Sequence, residues 1–267
     1  MNIARRIQNR YILSKSVANF GFNNFEKIRL FVFVWASTLL CALKIKLDFK
    51  FTINANGIPS IIIMSELSDA YVFSEVFVKL QYYFELKGEP QVIFDIGSNV
   101  GYSVIYFKTK YPKAVVYAFE PSPIIFKKLE RNCQPLIGVT CLNVAVTEID
   151  GTQNFFIKKY SSPGSSLIQR GDYDIEVPVV TRSIESLMRE LNINMIDLIK
   201  FDVEGSEYKI FKECKVIPRI NNLIGELHID IMGATKEEFV QIFKEKFIFN
   251  EIHLSKFRSI VTLARKQ

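Results

Sequence analysis

The sequence predicts an α/β fold built on a doubly wound, mostly parallel sheet. From residue 91 onward, short apolar strands alternate with helical segments, which is the pattern of parallel β-α-β units. The first of these strands ends in a glycine-containing turn, residues 95–101, directly before a helix. The chain closes with two extended segments, 247–254 and 259–265, whose short connection predicts an antiparallel hairpin on the sheet.

The individual elements follow from apolar periodicity and from the residues that end helices. We predict helices over residues 66–86, 100–110, 123–133, 183–191, 206–214 and 236–246. We predict strands over residues 91–96, 114–119, 139–146, 175–180, 196–202 and 223–228. Gly88 and Pro90 end the first helix, whose predicted apolar stripe consists of Tyr71, Phe73, Val76, Phe77 and Leu80.

Length and charge divide the chain into two parts. The 267 residues are many for a single domain, so we predict an N-terminal extension, residues 1–60, and a main domain, residues 61–267. Residues 1–50 hold nine Lys or Arg against Glu26 and Asp48, a balance of +7. The rest of the chain holds 25 basic and 26 acidic residues, a balance of −1. The main domain therefore lacks the overall basic field that would attract a nucleic-acid backbone.

The extension is open to two interpretations. Its apolar run, residues 30–43, is shorter than the ~20 apolar residues that a membrane-spanning helix needs. Upstream, Ile7 and Tyr11 recur at helical spacing beside basic residues, a pattern typical of helices on anionic membranes. Residues 1–50 either contact a membrane surface peripherally or pack on the main domain. The first apolar block begins too late for a secretory signal, so we expect a cytoplasmic protein, free or at the cytoplasmic membrane face.

The turn after the first strand is the predicted cofactor site. In a parallel sheet, ligands bind at the carboxyl ends of the strands, where Gly97 and Gly101 let the backbone turn closely around a ligand. We expect Asp95 to face this pocket, where it would repel a phosphate and attract a cationic group. Glu120 ends the next strand and can accept hydrogen bonds from ribose hydroxyls. S-adenosylmethionine combines a ribose with a cationic moiety, and the alternative is a tight turn without a ligand.

Polar residues at two later strand ends are candidates for the chemistry. Asp202 and Glu204 follow one strand, and His228 ends the next. We predict these three as catalytic residues, with His228 as the better base because an imidazole titrates near neutral pH. The alternatives are that Glu204 lies in the first turn of a helix, that Glu207 is solvated and that His228 is merely packed. The four cysteines show no ligand spacing, and we predict no metal site.

Four stretches, residues 94–103, 118–123, 143–146 and 199–207, occur in order, and together they resemble the FkbM family of methyltransferases. The likeness covers about residues 66–230. It implies a class I, Rossmann-like methyltransferase fold with a seven-stranded sheet and S-adenosylmethionine as cofactor. It also implies cofactor contacts to the methionine part, the ribose and the adenine, from Asp95, Gly97, Ser98, Asn99, Gly101, Glu120, Asn143 and Ala145.

The resemblance implies O-methylation of a sugar or glycan hydroxyl. Methylation of a nucleic acid or of another small molecule is the first alternative. For a nucleic acid, the Asn/Asp-Pro-Pro-Tyr stretch of such enzymes is replaced here by Asp202-Val203-Glu204-Gly205. A non-catalytic binding protein that kept the cofactor fold is the second. The small, polar residues 161–167 form either a lid over the substrate or a flexible connector, and a Ser-Ser-Leu shared with the family favours the lid.

Overall fold

The computed structural model describes residues 3–45, 47–158, 165–169 and 174–266. Within these ranges the helices are α1 (Ile3–Ala18), α2 (Asn24–Ala42), α3 (Leu67–Phe73), α4 (Tyr102–Lys110), α5 (Pro123–Cys133), α6 (Ile184–Glu190), α7 (Glu207–Lys212) and α8 (Lys236–Phe243). The strands are β1 (Phe49–Ala55), β2 (Ile58–Met64), β3 (Val92–Ile96), β4 (Val115–Phe119), β5 (Val139–Leu142), β6 (Ala145–Val146), β7 (Gly151–Lys158), β8 (Asp174–Arg182), β9 (Leu198–Phe201), β10 (Asn222–His228), β11 (Phe247–Ser255) and β12 (Arg258–Arg265).

The main sheet has seven strands in the order β11-β12-β10-β9-β3-β4-β5. Strands β3, β4, β5, β9 and β10 run parallel, whereas β12 pairs antiparallel with both β10 and β11. The predicted Rossmann-like α/β fold, with its mostly parallel sheet and C-terminal antiparallel hairpin, is therefore confirmed. A second sheet, β6-β8-β7, and the hairpin β1-β2 complete the strands.

The strand order creates a crevice beside β3. The chain adds β4 and β5 on one side of β3, and then returns to add β9 on the other. Open α/β sheets bind ligands at such a reversal, outside the carboxyl ends of the strands. The loops after β3, β4 and β9 therefore meet where a site is expected.

Apolar residues cover both faces of this sheet, because successive side chains of each strand point to opposite faces. In β3, Ile93 packs into a cluster with α4 and α5, whereas Phe94 packs into a second cluster with α6, α7 and α8. Both side chains are fully buried. The result is a three-layer arrangement that holds the strand ends rigidly.

The N-terminal helices pack on the first of these clusters. Leu13 and Val17 of α1 and Leu30 of α2 are buried together with Val104 of α4. This packing agrees with the second interpretation of the extension. Ser60, at the predicted boundary, lies inside β2. The division of the chain into an extension and a main domain stays a prediction.

Two predicted elements are shorter than expected. The helix predicted over residues 66–86 is α3 followed by a π-helical segment, Ser74–Val78, and then ends because Leu80 adopts a left-handed backbone with φ 51°. Phe73, Val76 and Phe77 of its predicted stripe are buried, but Tyr71 and Leu80 are exposed.

The strand predicted over residues 139–146 is divided into β5, which pairs with β4, and β6, which pairs with β8. Asn143 separates the two strands. Its side-chain amide donates hydrogen bonds to the carbonyl oxygens of Glu120 and Pro121, which ties the end of β5 to the loop after β4.

Candidate active site

The loop after β3 is shaped by Gly97. This residue has φ 76°, and a Cβ there would lie 1.9 Å from the carbonyl oxygen of Asp202. Only glycine therefore lets the loop approach the end of β9 so closely. The amides of Gly97 and Ser98 donate to the carbonyl oxygen of Phe119, which fixes the loop against β4.

Asp95 lies beneath the cavity formed by these loops. Its side chain is fully buried, accepts a hydrogen bond from Ser103 and forms an ion pair with Lys200, with 3.0 Å between Oδ1 and Nζ. The structure does not place Asp95 on the cavity wall, where the sequence predicts it, because its carboxylate is paired with a lysine on the neighbouring strand. Its contact with the cofactor stays a prediction. Lys200 itself borders the cavity and donates to the carbonyl oxygen of Gly97 at 2.6 Å.

Glu120 stands on the cavity wall, as predicted. Its Oε2 accepts from the amide of Asn99 at 3.0 Å, and its Oε1 accepts from the amide of Ser122 at 2.9 Å. Burial raises the pKa of Glu120 to about 7, although these two amide hydrogen bonds oppose the shift. Each carboxylate oxygen keeps a further lone pair for a ligand hydroxyl.

The other predicted cofactor residues divide into two groups. Ser98, Asn99 and Ala145 border the cavity beside Gly97 and Glu120. Gly101 does not border it: a Cβ there would lie 2.9 Å from Cδ1 of Leu129, so this glycine lets α4 pack on α5. Asn143 does not border it either, and acts through its hydrogen bonds to the loop after β4.

His228 is the centre of a polar cluster on the same cavity. Its Nδ1 lies 2.7 Å from Oε1 of Glu207, and its Nε2 lies 3.3 Å from Oε2 of Glu204. Oδ1 of Asp202 lies 3.9 Å from Nε2, and Oε1 of Glu226 lies 4.0 Å from it. Glu207 is fully buried rather than solvated, and Glu204 precedes α7 with φ 53° rather than lying in its first turn.

The charged groups in this cluster shift one another's pKa values. Burial lowers the pKa of His228, but the hydrogen bond and charge of Glu207, together with Asp202 and Glu204, outweigh it and raise the pKa to about 9. Burial and the charge of Asp202 raise the pKa of Glu226 to about 7. Near pH 7 the imidazole is therefore protonated, which removes the reason for preferring His228 as the base.

Several residues of the cluster are not predicted from the sequence. Tyr82 is buried and donates from its hydroxyl to Oδ2 of Asp202 at 2.9 Å, and Gln81 donates to Oε2 of Glu226 at 2.8 Å. Glu75 also borders the cavity, and burial raises its pKa. These residues lie before β3, in a segment where the sequence predicts only a helix.

All of these groups share one cavity of about 380 Å³. It is bordered by the loop at Gly97, by Glu120 and Ala145, and by the cluster around His228. Of the predicted lid, residues 161–164 lie outside the described part of the chain. Ser165 and Leu167 are described and border the cavity.

Three groups of the cluster are close enough to share a metal ion. One ligand atom each from Asp202, Glu204 and His228 lies within 4.8 Å of the others. Since a ring nitrogen that carries a proton has no lone pair for a metal, protonated His228 and a metal ion compete for the same place.

A family model described as the methyltransferase FkbM domain matches residues 95–261. "Methyltransferase sdnD" of Sordaria araneosa is 25% identical over 56% of this chain and 70% of its own length. "Hexuronic acid methyltransferase AglP" of Haloferax volcanii is 26% identical over 61% of this chain and 66% of its own length. "2-O-methyltransferase NoeI" of Sinorhizobium fredii is 31% identical over 45% of this chain and 56% of its own length.

Proposed function

Because the chain belongs to the FkbM family of S-adenosylmethionine-dependent methyltransferases, we propose that it methylates a hydroxyl group of a sugar or glycan. One observation carries the proposal. A single cavity is bordered both by the loops that suit the cofactor and by a polar cluster that suits an acceptor hydroxyl. Methyl donor and acceptor must meet in one cavity because the transfer is an in-line displacement.

The residues on the cofactor side fit S-adenosylmethionine. Glu120 offers lone pairs of a buried carboxylate to the two ribose hydroxyls, and Ala145 leaves space for a planar base. Gly97 keeps its loop free of a side chain where the methionine part would lie. When bound, S-adenosylmethionine supplies a methyl group that is already activated for transfer. We propose the direct contacts for Gly97, Ser98, Asn99, Glu120 and Ala145.

Asp95 and Lys200 support the cofactor side from below. Their ion pair is nearly inaccessible to solvent, with side-chain exposures of 0% and 2%. Lys200 also holds the carbonyl oxygen of Gly97, so the pair fixes the loop from the side of β9. We propose positioning roles for Asp95, and likewise for Gly101 and Asn143, rather than contacts with the cofactor.

The polar cluster would bind and deprotonate the acceptor. A hydroxyl must lose its proton during methylation, and a base acts best when its pKa lies near the working pH. The pKa of Glu226, about 7, meets this condition, so Glu226 would take the proton. Asp202 and Glu204 would accept hydrogen bonds from the acceptor, and protonated His228 would hold Glu204 in place through Nε2.

The charge of the cluster favours a sugar over a nucleic acid. Four carboxyl groups, of Glu75, Asp202, Glu204 and Glu226, border the cavity. Carboxylates accept hydrogen bonds from the many hydroxyls of a sugar, but they repel the phosphates of a nucleic-acid backbone. The name of one relative, a 2-O-methyltransferase, agrees with transfer to a hydroxyl group.

The test is transfer of a radiolabelled methyl group from S-adenosylmethionine to a panel of acceptors. The panel contains neutral oligosaccharides, uronic-acid oligosaccharides and RNA, and Glu226→Gln serves as the matched control for label that arises without the enzyme's chemistry. We expect alkali-stable label on a saccharide, because a methyl ether resists alkali whereas a methyl ester is hydrolysed. Label on RNA alone, or alkali-labile label alone, would refute the proposal.

A further inference from the structure

The outer face of α2 carries a continuous row of apolar side chains that the fold leaves uncovered. Because the residues recur every three or four positions, they lie on one side of the helix. Each is between 38% and 67% exposed. We call this row the apolar stripe, and it consists of Phe25, Ile28, Val32, Trp35, Leu39 and Leu43.

The apolar stripe is not required by the core of the protein. The opposite side of α2 already packs inward through Leu30, Phe33 and Val34, which are at most 4% exposed. Residues 30–43 also contain no charged side chain at all. Exposed apolar surface of this extent, without polar interruption, marks a site of interaction.

The charges beside the stripe are basic. Arg5, Arg6, Lys15, Lys27 and Lys44 are exposed and, within the part of the chain that the structure describes, form no ion pair. Residues 1–50 contain two acidic residues, and both form ion pairs: Glu26 pairs with Arg29, and Asp48 pairs with Arg131. The surface around the stripe therefore keeps an excess of positive charge.

The two helices bring these charges to both ends of the stripe. Arg10 of α1 donates to Thr38 and to the carbonyl oxygen of Val34, and a short turn joins α1 to α2. The helices thus form an antiparallel pair, in which the start of α1 lies beside the end of α2. Arg5 and Arg6, in the first turn of α1, therefore lie toward the end of α2 that precedes Lys44, while Lys27 lies in the first turn of α2.

We propose that the apolar stripe and its basic neighbours dock the protein on the surface of a bilayer that contains anionic lipids. An amphipathic helix of this kind lies in the plane of the interface, with its apolar side among the acyl chains and basic side chains near the headgroups. None of the helices in the described residues is long and apolar enough to cross a bilayer. A second copy of the chain fits less well, because it would bring two positively charged surfaces together.

The chain contains a reporter for this test, since Trp35 of the stripe is its single tryptophan. The full-length protein is mixed with vesicles of phosphatidylcholine alone, or of phosphatidylcholine with phosphatidylglycerol. We expect a blue shift of the Trp35 emission and co-sedimentation with the second vesicles, both weakened by salt. Arg5→Glu combined with Arg6→Glu should weaken binding by about tenfold or more.

Matched substitutions separate docking from folding. Val32→Glu combined with Leu39→Glu should abolish vesicle binding, whereas Ile252→Glu, at an equally exposed position on β11, should not. Binding of S-adenosylhomocysteine, measured by calorimetry, should stay unchanged in all of these variants. Equal binding to both vesicle types, no binding to either, or a lipid-free dimer that buries Trp35 would each overturn the proposal. None of these outcomes depends on which acceptor is methylated.

Discussion

Nδ1 of His228 lies 2.7 Å from Oε1 of Glu207, and both side chains are at most 3% exposed. A carboxylate can only accept, so Nδ1 must carry the proton of this hydrogen bond. The ring is thereby oriented with Nε2 toward Glu204, at 3.3 Å. Glu207 thus controls both the direction of the imidazole and its charge, although it does not itself border the cavity.

Replacing Glu207 by glutamine should lower the pKa of His228 from about 9 toward its ordinary value of 6.5. The reason is that glutamine keeps the hydrogen-bond acceptor but removes the negative charge. An NMR titration of the ring protons measures this, with exposed His253 as an internal reference because the chain has two histidines. Glu213→Gln, at an exposed position just after α7, is the control and should leave the titration of His228 unchanged.

The same pair predicts how stability depends on pH. The pKa of His228 is raised in the folded state, so its contribution is fully present below pH 6.5 and is lost as the pH rises through about 9. Glu207→Gln should therefore lower the free energy of unfolding by roughly 3 kcal/mol at pH 6, since one pKa unit corresponds to about 1.4 kcal/mol. Urea unfolding should show a smaller loss at pH 10, and an equal loss at both values would contradict the assignment.

The pKa of Glu226 predicts how methyl transfer depends on pH on the acid side of the pH–activity profile, called the acid limb here. With its pKa raised to about 7, the fraction of Glu226 that can accept a proton grows as the pH rises through neutrality. At saturating S-adenosylmethionine, where protonation of Glu120 does not limit cofactor binding, the value of kcat/KM for a hydroxyl acceptor should rise with it. Glu226→Gln should lower kcat by about 10²- to 10⁴-fold and abolish this limb. A limb that survives in Glu226→Gln, but shifts in Glu207→Gln, would instead identify His228 as the base.

The sequence predicts residues best where one strand end determines their position. Glu120 directly follows β4, so its place on the cavity wall follows from the strand alone. The direction of Asp95 depends instead on which strand lies beside β3: its partner in the sheet register is Lys200 of β9, more than one hundred residues later. Strand order is a property of the tertiary fold, and periodicity along the chain does not contain it.

Tyr82 shows a second limit of the sequence. An apolar pattern over residues 66–86 predicts an uninterrupted helix, but the left-handed backbone at Leu80 ends it and lets Tyr82 donate to Asp202. Leucine rarely adopts this conformation, so no residue type signals the break. Similarly, the stripe on α2 is apolar in sequence, yet only the packing shows which side of the helix remains uncovered.

Glu120→Gln should weaken binding of S-adenosylhomocysteine by about ten- to a hundredfold, because the ribose hydroxyls lose a charged acceptor. Glutamine still offers one oxygen to a backbone amide, which limits damage to the loop. Since the pKa of Glu120 is about 7, affinity of the native protein should also fall as the pH drops below neutrality. Calorimetry at pH 6 and pH 8 measures both effects, with exposed Glu130→Gln as the control. Equal affinity of native protein and Glu120→Gln would exclude a ribose contact.

Chelation should leave turnover unchanged, although Asp202, Glu204 and His228 are close enough to share a metal ion. With a pKa of about 9, His228 carries a proton on Nε2 at neutral pH and already places a positive charge among the carboxylates. A metal ion would have to displace that proton before it could bind the ring. Turnover measured with and without EDTA at pH 7 tests this. Adding Mg²⁺ after chelation then tests whether a metal ion restores any activity that was lost. Loss of activity on chelation that Mg²⁺ restores would mean that the cluster holds a metal instead of an imidazolium.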